Sequence, residues 1–124
     1  MLTLRQLACL SALAVVGMLT LGTPLLDAQT LSPDELASVL DNAATKENHL
    51  KLAGHFEAEA KQLREDATRH EAMTARYKKM PARPGALHEH MARHCENLVA
   101  SLRSAAKESD ELAAAHRKMA ESPK

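Results

Sequence analysis

Pro81-Ala82-Arg83-Pro84-Gly85 divides this chain of 124 residues. Each proline ring removes a backbone donor and pushes the residue before it toward extended geometry, so a helix cannot run through this stretch. Long helical patterns approach it from both sides. The predicted result is a tight reversal over 81–85 and an antiparallel helical hairpin.

On the amino side, a helix is expected over 46–80. Leu50, Ala53, Phe56, Ala60, Leu63, Ala67, His70, Thr74 and Tyr77 recur in steps of three and four, the spacing of a coiled-coil seam. On the carboxyl side, over 86–120, Leu87, Met91, Cys95, Leu98, Leu102, Ala105, Ser109, Leu112, His116 and Met119 do the same. Acids stand four residues before bases at Glu47/Lys51, Glu57/Lys61 and Glu65/Arg69. Such pairs contribute about 0.2–0.5 kcal/mol each on a helix surface. At an offset of 39 residues, 55–80 matches 94–119 at eight of 26 positions, including Leu63/Leu102, Arg64/Arg103 and Met80/Met119. That internal repeat reads as a duplicated helix folded back on itself, with convergence of two alanine-rich helices as the alternative.

A short helix should precede the hairpin, over 33–44. Ser32 is placed to cap it, Pro33 suits the first helical position, and Glu35 completes a capping box. Thr45 offers a second cap at the start of the long helix. Further upstream, Leu7 to Leu21 is apolar or small and uncharged, behind Arg5. This is the pattern of a signal peptide over 1–28, with Ala28 before the cleavage point. A membrane-spanning helix needs about 20 apolar residues, so an uncleaved anchor is the alternative. The domain expected after processing is 29–124, placed in the periplasm or secreted.

Sixteen basic and sixteen acidic side chains cancel. A nucleic-acid binder needs a basic excess, so none is expected as a partner. One Phe, one Tyr and no Trp leave alanine as the main packing residue, which suits closely approaching helices. No stretch alternates as a strand does, and the fold class expected is all-α.

The segments Thr45-Lys46-Glu47-Asn48-His49-Leu50-Lys51-Leu52-Ala53 and Met91-Ala92-Arg93-His94-Cys95, with the Ala67/His70/Met73/Tyr77 spacing, resemble small exported bacterial helical-hairpin proteins of uncharacterised function. The resemblance implies a hairpin and an exported precursor. It implies no activity.

Chemistry-bearing side chains concentrate in Leu87-His88-Glu89-His90-Met91-Ala92-Arg93-His94-Cys95. Folding about Ala82 and Arg83 would bring His70 and Met73 toward Met91 and Cys95, a thioether, thiol and imidazole set suited to Cu(I). Met and Cys at seam spacing are more often packing residues. Cys95 is the one cysteine left after removal of 1–28, so it is either buried in the seam or joins two chains. His70 and His116 fall at seam positions, where an imidazole is out of pattern. Arg76, Lys78, Lys79, Arg83 and Arg93 gather near the hairpin tip; they suit a helix terminus, or alternatively an anionic membrane surface. Phosphate loops, nucleophile elbows, paired zinc histidines and Cys-x-x-Cys motifs are missing from the sequence. One stripe per helix leaves a hairpin poorly covered, so a homo-oligomer is expected. The expected function is therefore non-enzymatic interaction or self-association in the bacterial envelope, with periplasmic copper binding as the alternative.

Overall fold

A computed structural model describes residues 29–122. The expected signal peptide over 1–28 lies outside the described residues. Three helices follow in order, α1 (Pro33–Asp41), α2 (Lys46–Lys78) and α3 (His88–Glu121), with no strand among the described residues. The long helices α2 and α3 pack antiparallel along their length, while α1 folds back on the start of α2. α1 ends at Asp41, short of 44; α2 ends at Lys78 and α3 starts at His88 because the turn between them takes more of the chain than 81–85.

Local chemistry explains the starts of α1 and α2 and the turn between the long helices. Ser32 Oγ accepts from the Glu35 amide at 3.3 Å, and a Glu35 carboxylate oxygen accepts from the Ser32 amide at 2.9 Å. The Ser32 hydroxyl also donates to that carboxylate at 2.7 Å, holding the Glu35 carboxyl below its usual range. Thr45 Oγ1 accepts from the Asn48 amide at 3.1 Å and opens α2. Gly85 has φ 77°, and the Ala86 amide donates to the Arg83 carbonyl at 3.0 Å. Pro84 and Gly85 thus form the centre of a β-turn that needs a left-handed residue second, which glycine supplies without steric cost.

The seam is made of small side chains. On α2, Ala53, Ala60, Ala67 and Thr74 are buried at every seventh position; on α3, Ala92, Val99, Ala106, Ala113 and Ala120 do the same. Leu63, His70 and Tyr77 from α2, and Cys95, Leu102, Ser109 and His116 from α3, flank that line as half-buried or buried residues. This corrects the expected seam on α3. The Cys95/Leu102/Ser109/His116 half lies inward, but the Met91/Leu98/Ala105/Leu112/Met119 half is displaced by the alanine line one residue along. Leu50 on α2 is likewise exposed. Alanine methyls let two backbones approach closely, whereas leucine at every other layer would hold them apart.

One flank of the seam carries an ion-pair ladder: Glu57–Arg117, Arg64–Asp110, Glu71–Arg103 and Lys78–Glu96. The rungs advance seven residues along α2 and retreat seven along α3, the pattern of an antiparallel coiled coil. The 39-residue offset carries Glu57 onto Glu96, Arg64 onto Arg103, Glu71 onto Asp110 and Lys78 onto Arg117, so every rung keeps its charges under the hairpin's approximate two-fold. Of the three expected local pairs, Glu47–Lys51 forms at 3.0 Å. Glu57 also reaches across to Arg117, and Arg69 pairs with Asp66.

Candidate functional site

The four residues grouped for metal binding divide between two environments. Cys95 is a free thiol buried in the seam, 3% exposed, and His70 is half-buried on the opposing helix. Met73 and Met91 stand on the outer flank, both exposed. His70 adjoins the Glu71–Arg103 rung and Cys95 adjoins the Lys78–Glu96 rung, one heptad nearer the tip. His70 and Cys95 nonetheless stand in the same cross-helix relation as His49 and His116, three heptads along each helix, and those two ring nitrogens lie 3.2 Å apart. Among the described residues, no group of three or more His, Cys, Asp or Glu side chains is arranged to hold a metal ion. His70 Nδ1 is nevertheless buried with no hydrogen-bond partner.

Histidines gather instead at the end of the hairpin away from the turn, where α2 meets α3 and the chain before α1 meets α2. His55 Nδ1 accepts from the Leu31 amide at 2.9 Å, which requires its proton on Nε2 and ties the chain before α1 to α2. His49 Nδ1 lies 3.2 Å from His116 Nδ1, and Phe56 stacks on the His116 ring at 5.7 Å. Burial lowers the His116 pKa, and the neighbouring His49 lowers it further. Sequence spacing marked His116 as out of pattern in the seam but not its partners, because His49 and His116 are brought together only by the hairpin's closure.

The His90 and His94 rings meet edge to face at 4.3 Å on the surface of α3, beside Arg93 and Asn97. At the tip, Lys78 is engaged by Glu96, while Arg76, Lys79, Arg83 and Arg93 are exposed. A groove of about 400 Å³ runs along the ladder between its last two rungs, lined by Glu71, Thr74, Lys78, Glu96 and Val99. It is open to solvent and mixes both signs of charge. Among the described residues, no helix is long and apolar enough to cross a membrane.

The flank opposite the ladder is chemically different. Met91, Leu98, Leu112 and Met119 from α3 are 39–45% exposed there, in line with half-buried Ala105. Leu87 continues the apolar surface at 70% exposed. Sequence periodicity had identified these residues but assigned them to the α2 contact. No protein-family model, curated protein or solved structure matches this chain.

Proposed function

We propose that this chain is a non-enzymatic, exported bacterial protein that acts in the envelope through self-association of its helical hairpin. The supporting observation is that α3 seals against α2 with alanines while Met91, Leu98, Leu112 and Met119 face outward beside them; Leu98 and Leu112 are each 45% exposed. Apolar side chains repeated along a helix face are ordinarily covered by another helix. Export is supported by the uncharged apolar run Leu7–Leu21 behind Arg5. Light scattering and chemical crosslinking of the protein recovered from an exporting host test the proposal. A fully folded monomer throughout the micromolar range would remove it.

A second reading, copper binding through His70 with Cys95, is favoured by the buried, unpartnered Nδ1 of His70. Cu(I) titration of the protein beside His70→Ala and Cys95→Ala decides it. Equally weak binding in all three ends that reading.

A further inference from the structure

We infer that α3 carries a second packing surface, and that a second copy of α3 occupies it, running antiparallel across a two-fold axis at Ala105. This rests on the self-association reading and assigns its surface and symmetry.

The strip Met91, Leu98, Ala105, Leu112 and Met119 recurs every seventh residue along the full length of α3. In a coiled coil, that period keeps a strip on one side of the helix, where it presents a continuous line to another helix. The approximate symmetry of the hairpin supplies an internal control. On α2 the corresponding positions are Leu52, Glu59, Asp66, Met73 and Met80, so two carboxylates interrupt the line, and Leu52 is fully buried. The two helices conserve their ladder charges yet differ here. An uninterrupted apolar strip is therefore a property of α3 alone, rather than a by-product of the alanine seam.

The order of the strip identifies its occupant. Met, Leu, Ala, Leu, Met reads the same from either end, so rotation about Ala105 sets Leu98 against the second copy's Leu112 and Met91 against its Met119. In an isologous interface this order sets like-sized apolar side chains against one another at every level, a match that a foreign partner would not call for. Small residues surround the axis, with Ser101 and Ser104 beside Ala105, so the backbones can approach as they do in the seam. Like charges do not meet along the strip: on the flank away from the seam, Glu108 comes nearest the second copy's Ser101, and His94 nearest its Ala115. At a rise of 1.5 Å per residue and a helix diameter of about 10 Å, the strip from Met91 to Met119 covers roughly 420 Å² per copy. Doubled, that lies just under the roughly 1,000 Å² of a stable specific interface and implies a weak, reversible, concentration-dependent dimer.

The test uses the protein recovered from an exporting host, its mass recorded, followed by sedimentation equilibrium from low to high micromolar concentration. A reversible monomer–dimer equilibrium is expected. Leu98→Glu and Leu112→Lys should each weaken it at least about tenfold while leaving helicity by circular dichroism unchanged, since each places charge where apolar area is buried in both copies. An equimolar mixture of the two variants should regain dimer, because position 98 of one copy faces position 112 of the other. Ala105→Cys should form an interchain disulfide on mild oxidation.

A dimer indifferent to both substitutions, a mixture as weak as its components, or absence of the disulfide would overturn the two-fold while leaving self-association standing. A wild-type monomer at every concentration would overturn both. Should that monomer bind lipid vesicles through Leu98, the strip is a membrane face and the inference fails.

Discussion

Arg117 holds Glu57 by two parallel hydrogen bonds, from Nε at 2.7 Å and from a terminal guanidinium nitrogen at 2.8 Å. This bidentate pair is the rung farthest from the turn, sixty residues apart in sequence and locked in register by the turn at the other end of the hairpin. Three further rungs repeat it at heptad intervals with alternating sense of charge.

The ladder sets register more than it supplies stability, because its side chains are largely exposed and each such pair contributes only about 0.2–1 kcal/mol. Arg103→Ala should lower stability by that amount in chemical denaturation, less at high salt. Arg103→Glu should cost more, by opposing Glu71 with a like charge. Combining Arg103→Glu with Glu71→Arg should recover most of the loss. Failure of the swap to recover stability would mean the rung does not form.

The alanine seam makes a sharper prediction. Ala106→Leu, at a position 2% exposed, should force the helices apart and cost about 1–3 kcal/mol. Leu98→Ala, on the outer strip, should cost the unassociated hairpin less than about 1 kcal/mol, since much of that side chain already meets water. A reversal of that order in thermal melts would restore the leucine face to the hairpin core.

At the turn, Gly85→Ala should destabilise by about 1 kcal/mol. Nothing lies within 4 Å of where its Cβ would stand, so the cost comes from φ 77° alone. An unchanged denaturation midpoint would show that the turn relaxes freely.

Acid should loosen the end of the hairpin away from the turn. The His116 pKa is lowered in the folded protein by burial and by His49, so the unfolded chain binds a proton more readily. Stability from this group is present above the ordinary imidazole value of about 6.5 and is lost as pH falls from there through the lowered folded value. His49 is the titratable neighbour and Phe56 the stacked one; the adjacent Arg117 is already engaged by Glu57. Titration of the imidazole protons by NMR should place His116 below a free histidine. His116→Phe should flatten the slope of stability against pH below about 6.5.

Helix placement was legible because its causes are local: the Ser32–Glu35 box, the Thr45 cap and the Pro84–Gly85 turn act within a few residues. The heptad period also marked both long helices as packing elements. Which side of α3 turns inward was decided only by tertiary packing. Its leucines and methionines form as regular a line as its alanines, and hydrophobicity alone favours the larger residues. Close approach of two backbones reverses that preference, since the methyls of Ala60 and Ala106 fit a gap that Leu98 would hold open. For the same reason the His49–His116 pair and the four cross-helix rungs could not be read in advance: they join residues remote in sequence, whose meeting depends on how tightly, and in what register, the two rods close.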